Sequence, residues 1–403
     1  MTTAYPTADR MAWFRQARFG LFIHWGLYSL LEKGEWIFHM EGIPDAEYQA
    51  LADRFDPQSF DPRAWARLAK RAGMGYVVFT TKHHDGFCLW DTATTDFCST
   101  KHGAKRDYVR EVTEAFRAEG LKVGLYYSLG DWHVPCYKAV AAGDGSQVPA
   151  LRDYLHTHVR ELLSNYGQID LLWYDGAWFD DNYLTAETLG AAELNAMARA
   201  LQPRIVINPR AGTAEDFDTC ENECKPAPYG TDWEMCICIN DIWGYCKHDY
   251  NYKTYNQLIF QLVNCAVQGG NYLLNVGPTG DGVIPGAQAE RLEAVGRWMA
   301  VHGESVRGTE RLQRPFFAFG RVTRKASRVY LHVFYWPGST MAVANLGPDV
   351  WWGETPGALP VTARILTTGQ PVPCHWEGDR LIIEGLPENP PDQADTVVVV
   401  EQG

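Results

Sequence analysis

The feature that most restricts this chain is a repeated pairing of an apolar run with a polar end. Seven short, β-branched or aromatic runs occupy residues 19–26, 76–86, 121–128, 169–176, 204–210, 233–237 and 271–278. Helical patterns separate most of them, near 62–72, 107–118, 151–165, 187–201 and 255–267, and one more follows at 287–300. An apolar run of this length suits a strand buried on both faces, which a parallel sheet produces when helices cover it. The alternation predicts a parallel α/β fold, and the number of runs predicts a (β/α)8-like barrel of TIM type, regular or irregular. No GxGxxG or GxxxxGK follows a run, which argues against a nucleotide-binding sheet.

After Gly308 the pattern changes. Short β-rich runs at 321–336, 340–345, 362–366, 381–383 and 396–401 are divided by turn signals such as Pro337-Gly338 and Gly347-Pro348. They predict a small antiparallel β-sandwich with a stabilising role. The expected division is therefore a catalytic barrel over 1–308 and a C-terminal sandwich over 309–403.

Core filling does not account for what stands at the ends of the barrel runs. His24, His83 with His84, Asp175, Arg210 and Glu234 are placed by this reading at carboxyl ends, where parallel barrels gather their chemistry. Asp175 closes the run Leu171-Leu172-Trp173-Tyr174 just before Gly176, and it reads either as a catalytic nucleophile or as a cap on the following turn. Glu221, Glu223 and Glu234 are the acids available to pair with it. Two carboxyls flanking a glycosidic bond hydrolyse it without metal or cofactor, and a retaining enzyme holds them about 5–5.5 Å apart. Against this, a glutamate in a polar loop is by default solvated surface.

The histidines admit two chemistries. His83 and His84 beside Asp85 could ligate a metal, but neighbours on a strand face opposite ways and share one ligand only where the strand ends. Neutral imidazoles also bind sugar hydroxyls, since each ring carries one donor and one acceptor. With His24 they define a ligand pocket. Glu35-Trp36 adds a carboxylate and a stacking plane, or else anchors its loop.

Composition narrows the partners. A net charge of −13 argues against nucleic acid and anionic membranes. The 15 Trp and 20 Tyr suit sugar faces as well as an aromatic core. No run approaches the roughly 20 apolar residues of a membrane span. Residues 1–10 are polar and lack a signal-peptide core, so a cytoplasmic location is expected. Cys220, Cys224, Cys236, Cys238 and Cys246 suggest zinc, but they form no CxxC pair, and packed reduced thiols are the expectation. Neither metal nor other cofactor is expected.

Several of these segments, in order, resemble glycoside hydrolase family 29, the α-L-fucosidases: FGLFIHWGLY at 19–28, TTKHHDGFCLW at 80–90, GLYYSL at 124–129, NYGQIDLLWYDG at 165–176, WGY at 243–245 and LLNVGP at 273–278. The resemblance implies a retaining exo-α-L-fucosidase acting on fucosylated oligosaccharides or glycoconjugates. It puts the nucleophile at Asp175, hydroxyl ligands at His24, Glu35, Trp36, His83 and His84, and the arginine after the fifth strand at Arg210. It matches Phe22, Tyr126, Trp173 and Trp243 to an apolar wall for the C5 methyl, a contact worth about 1–3 kcal/mol of discrimination. Residues 217–221 resemble the segment in which the acid/base stands two residues after a threonine, which is Glu221, with Cys220 where proline is usual. Glu234 resembles another family glutamate and is the alternative acid/base. Glu221 is preferred because a mobile loop delivers a leaving-group acid more readily than a packed strand. Ile37, where an aromatic is common, and Arg307, where tyrosine is common, bear on aglycone preference or packing. The rival readings are a non-catalytic fucose-binding protein, a metal-dependent hydrolase on the His and Cys clusters, and a related glycosidase for another L-galacto-configured sugar. Linkage preference is assigned to the outer loops, including 131–149.

Overall fold

The computed structural model describes residues 10–177, 184–355, 357 and 359–402. Its centre is one parallel sheet of eight strands. They are β1 (Phe19–Ile23), β2 (Tyr76–Lys82), β3 (Lys122–Ser128), β4 (Leu171–Asp175), β5 (Val206–Ile207), β6 (Asp218–Glu221), β7 (Trp233–Cys238) and β8 (Asn271–Val276), in the order β5-β4-β3-β2-β1-β8-β7-β6.

The sheet is rolled. Trp173 on β4 donates its indole N–H to Glu234 on β7 at 2.9 Å, although five strand spacings separate them along the sheet. A flat sheet would hold them about 24 Å apart. No ladder joins β5 to β6, and Asp216 closes that gap instead. Its backbone N–H donates to the Ile207 carbonyl at 3.1 Å, and its carboxylate accepts the Ile207 N–H at 2.9 Å. Arg199 and Arg10 pair with the same carboxylate.

Side-chain alternation fills the interior. Phe22, Val78, Tyr126, Leu171, Trp173, Cys236 and Leu273 form one buried cluster inside the barrel, with Phe14 and Phe217 packed among them. Residues of the other parity pack outward against helices. The helices begin at strong signals: Asp61 caps Pro62–Arg71, Asp107 caps Tyr108–Ala118, and Thr254 with Gln257 forms a capping box on Tyr255–Val267. Val148–Asn165, Ala191–Leu201 and Gly286–His302 complete the outer layer.

Three departures from the sequence reading matter for the site. The eighth strand, β6, went unread because Asp218–Glu221 is half-exposed and carries no apolar run. It pairs with β7, with Glu221 opposite Cys236, so Glu221 ends a strand and does not ride a mobile loop. Glu234 is the second residue of β7, at the strand's amino end, so its placement at a carboxyl end was wrong. The run at 204–210 keeps only two strand residues, because Pro209 cannot donate to a ladder and opens the 3-10 turn Pro209–Ala211.

Beyond the barrel lie antiparallel sheets of six and three strands. Val322, Val329, Leu331 and Val398 of the larger meet Met341, Val343, Leu381 and Ile383 of the smaller in one core, which makes a β-sandwich. The predicted run at 321–336 is in fact a hairpin, Gly320–Lys325 and Arg328–Val333. The sandwich abuts the last barrel helix, where Trp298 donates to the Asp395 carbonyl and His302 meets Thr367 at 2.8 Å.

The closure at Asp216 is testable. Asp216→Ala strips Ile207 of its partner and leaves Arg199 and Arg10 short of a charge, so stability should fall by about 3 kcal/mol. Urea unfolding midpoints measure it, and an effect under 1 kcal/mol would remove Asp216 from this role.

Candidate active site

Leu171, Trp173 and Asp175 lie at i, i+2 and i+4 of β4 and so share its inward face. Asp175 is the uppermost, where the strand ends at Gly176. That glycine has φ +72°, and a Cβ there would stand 2.6 Å from the Ser128 hydroxyl and 2.9 Å from His84 Nδ1. Chain direction and close packing both demand glycine, which keeps the carboxylate seated in the barrel mouth.

Asp175 is the hub of the site. Arg210 donates to one oxygen at 2.7 Å and the Tyr126 hydroxyl to the other at 2.9 Å. His84 Nε2 lies 3.8 Å from the second oxygen. Burial alone would raise this carboxyl, but the Arg210 charge and hydrogen bond and the Gly176 N–H outweigh it and hold the group below the usual carboxylate range. The second Arg210 nitrogen reaches Glu221 at 3.0 Å. One guanidinium thus carries both candidate carboxylates. It also lies over the Trp173 ring at 4.5 Å. The Glu221 side chain is 41% exposed against 23% for Asp175, which leaves it the freer of the two.

The histidines enter because β2 ends at Lys82. Past the strand the alternation lapses, and the His83 and His84 rings lie 4.0 Å apart on the same cavity. Hydrogen bonds fix two of the tautomers. Asn275 donates its amide N–H to the Trp243 carbonyl, so its oxygen accepts from His24 Nδ1 at 2.7 Å. Ser128 donates to the Gly130 carbonyl, so its oxygen accepts from His84 Nδ1 at 2.6 Å. Both rings therefore present Nε2 as an acceptor. Burial pushes His24 down to about 3 and His84 to about 4, and drives His83 well below the ordinary value. All three are neutral at neutral pH.

Phe22, Trp173 and Trp243 form the apolar side of the cavity, with Phe22 centred 5.1 Å from Trp173 and 5.8 Å from Trp243. Trp36 covers the side beside His84 at 5.5 Å. The enclosed volume is about 160 Å³.

Of the residues singled out from sequence, Phe22, His24, Trp36, His83, His84, Tyr126, Trp173, Asp175, Arg210, Glu221 and Trp243 all line this cavity. Glu35 stands behind it, accepting the Gly244 N–H at 2.7 Å and so fixing the loop that carries Trp243. Glu223 is exposed and paired with Lys225. Glu234 does not line the cavity. It is fully buried beneath Trp173, with one oxygen taken by that indole and the other by the Tyr76 hydroxyl. Ile37 is buried, and Arg307 binds the Gly73 carbonyl on the barrel's outer layer. Cys236, Asn275 and Ser128 were missed. Cys236 also lines the cavity, and the period of two from Glu234 would have pointed to it.

A rolled parallel sheet with two carboxylates on one arginine, neutral imidazole acceptors and an aromatic wall has the equipment of a glycoside hydrolase. The comparisons refine that class. The sequence profile of the family described as alpha-L-fucosidase matches residues 3–304. The tissue alpha-L-fucosidase of Rattus norvegicus is 32% identical over 97% of this chain and 89% of its own length. Alpha-L-fucosidase isoenzyme 1 from Paenibacillus thiaminolyticus superposes with TM-score 0.90 at 38% identity, covering 98% of this chain and 99% of its own. A GH29 alpha-L-fucosidase from Bacteroides thetaiotaomicron, trapped as a covalent intermediate with 2-fluoro-fucosyl fluoride, has TM-score 0.88 at 27% identity, covering 100% of this chain and 98% of its own. The chain belongs to the α-L-fucosidase family, GH29.

The buried histidines make a pH prediction. Unfolded, each imidazole takes up a proton near pH 6.5. Folded, His84 resists until about 4 and His24 until about 3. The unfolded chain binds more protons in this window, so stability falls as pH drops from about 6.5 toward 4. Melting temperature against pH should show that slope, and His84→Asn should flatten it. A slope unchanged by the substitution would exclude His84 as a source.

Proposed function

We propose that the protein is a retaining exo-α-L-fucosidase that removes terminal α-L-fucosyl residues, with Asp175 as nucleophile and Glu221 as acid/base. The observation that carries this reading is the sharing of Arg210. The two carboxylates that one guanidinium gathers are those at the ends of β4 and β6, and they face one cavity lined by hydroxyl acceptors and an apolar wall.

In the first half-reaction an Asp175 oxygen attacks C1 of the fucosyl ring. The bond to the leaving oxygen breaks, and that oxygen takes the Glu221 proton. To carry a proton, Glu221 turns off Arg210 toward the leaving group, which its exposed side chain permits. In the second half-reaction the Glu221 carboxylate removes a proton from water as the water attacks C1, and Asp175 leaves as carboxylate. Arg210 favours the ionised form of Asp175 at both ends of the cycle. His24 and His84 accept sugar hydroxyls through Nε2. Phe22, Trp173 and Trp243 receive the C5 methyl, which explains a preference for a 6-deoxy ring. Support comes from the Bacteroides relative, which was caught as a covalent intermediate. Both Glu234 oxygens are committed beneath the pocket, so Glu234 does not reach a glycosidic oxygen in this reading.

Azide separates the roles by stereochemistry. Asp175→Ala should abolish turnover of an aryl α-L-fucoside with the fold retained, and azide should then give the β-fucosyl azide by one direct displacement. Glu221→Ala should accumulate the fucosyl-enzyme and give the α-fucosyl azide. Near-native activity in Asp175→Ala would end the nucleophile assignment. α-Azide formation by Glu234→Ala in place of Glu221→Ala would move the acid/base.

A further inference from the structure

The cysteines that the sequence gathers at 220–246 do not act alike. Cys236 lines the catalytic cavity, and the Cys220 thiol donates to the Glu234 carbonyl at 3.7 Å. Cys224 lies outside the strands, in the segment 222–232 that joins β6 to β7. That segment is tied on either side of it. The Asn222 N–H donates to the Cys236 carbonyl at 2.9 Å, and Arg311 donates to the Ala227 and Pro228 carbonyls at 2.9 and 3.1 Å. Between these ties Glu223, Lys225 and Pro226 are exposed, while Cys224 turns inward and is half-buried.

Its sulfur meets the last turn of the helix Tyr255–Val267. It accepts the Asn264 amide N–H at 3.3 Å and the Gln268 amide N–H at 3.5 Å, and the fully buried Cys265 thiol donates to it as well. Donors around a sulfur favour its thiolate. The Cys265 donor acts most strongly, and with Gln268 and Asn264 it outweighs burial and holds the Cys224 thiol below its ordinary value. Burial instead pushes the Cys220 and Cys265 thiols up. One sulfur of the contact is thus readied as a nucleophile, and the other stays protonated at its side.

We propose that Cys224 and Cys265 are a redox pair, in which a small hydroperoxide oxidises Cys224 and Cys265 captures the product as a disulfide. In the first step the Cys224 thiolate attacks one peroxide oxygen. The O–O bond breaks, hydroxide leaves, and Cys224 becomes a sulfenic acid, oxidised by the two electrons that reduce the peroxide. In the second step the Cys265 sulfur attacks that of Cys224. The S–S bond forms, the S–O bond breaks, and the departing hydroxide takes the Cys265 proton and leaves as water. A dithiol reductant returns both thiols. Accessibility sets the order, because Cys224 is half-buried and Cys265 is fully buried.

The bond has a consequence for the active site, and that consequence alone rests on the acid/base assignment. Glu221 closes β6 just before this segment, and in the proposed cycle its carboxylate turns between Arg210 and the leaving oxygen. A disulfide to the helix fastens the chain that follows Glu221 and restricts the turn. Asp175, on β4, is not touched.

The test maps the bond first. Native protein is treated with hydrogen peroxide, digested without reductant and read by mass spectrometry, with dimedone present in a parallel sample to trap sulfenic acid. A Cys224–Cys265 disulfide should form in the native chain and open with dithiothreitol. Cys265→Ser should leave dimedone on Cys224, and Cys224→Ser should leave Cys265 unlinked and unlabelled. A Cys220–Cys224 bond, or no disulfide at Cys224, would overturn the pair. Oxidised native protein should turn over phenyl α-L-fucoside about tenfold more slowly, part of the hundredfold or more that acid–base catalysis contributes, and should recover on reduction. Oxidised Cys224→Ser should keep the rate of its reduced form. A mapped disulfide with unchanged turnover would remove the restraint on Glu221. Native protein inert toward the fucoside before oxidation would overturn the fucosidase reading, while the mapped bond would still decide the pair.

Discussion

The Arg210 guanidinium holds Asp175 ionised and ties Glu221 to the same site. A carboxylate as buried as Asp175 would tend to hold its proton, and the nucleophilic role proposed for it needs the ionised form. Arg210 reverses that tendency at 2.7 Å, and the Tyr126 hydroxyl supplies the second oxygen with a partner. The same cation needs support of its own, because a buried arginine without a partner is costly. It has Glu221 on one side, the Trp173 face beneath and the Thr219 hydroxyl at 3.2 Å. Removing any of these loosens Asp175 without touching it.

The barrel provides that support in layers. Inward positions on β4 place Leu171 lowest, then Trp173, then Asp175. On β7 the same face carries Glu234 below Cys236. Glu234 grips the Trp173 indole from beneath, the indole carries Arg210, and Arg210 holds Asp175. Strand alternation thus converts a sequence spacing of two into a vertical stack, and each layer fixes the orientation of the one above.

Much of this stack was legible in the sequence. β1, β2, β3, β4 and β8 are apolar runs bounded by clear breaks, and residues at or just past the upper ends of the first four meet in the cavity. Asp175, His24 and His84 were readable because core packing alone gives a buried strand no reason to end in a polar group. What failed has physical causes. β6 is short, polar and half-exposed, so burial left no mark on its composition, and its closure with β5 depends on the Asp216 side chain. Glu234 was misplaced because a five-residue run does not reveal which end faces the mouth when its only charge sits near the start. Asn275 and Ser128 act through tautomers, which no pattern of residue types displays.

Glu234 shows where reasoning from a perturbed acid must stop. Burial raises its carboxyl to about 7, the value sought in a general acid at neutral pH, and raised values cluster at active sites. Its surroundings give the shift another meaning. The apolar packing that disfavours the charge also separates the group from the cavity, and both oxygens already accept hydrogen bonds from Trp173 and Tyr76. A proton held there has no path to a leaving oxygen. Glu221 has the complementary properties: its side chain is 41% exposed, it lines the cavity, and Arg210 is its ion-pair partner. In the proposed assignment access marks Glu221 as the acid, and Glu234 below holds the Trp173 indole on which Arg210 lies.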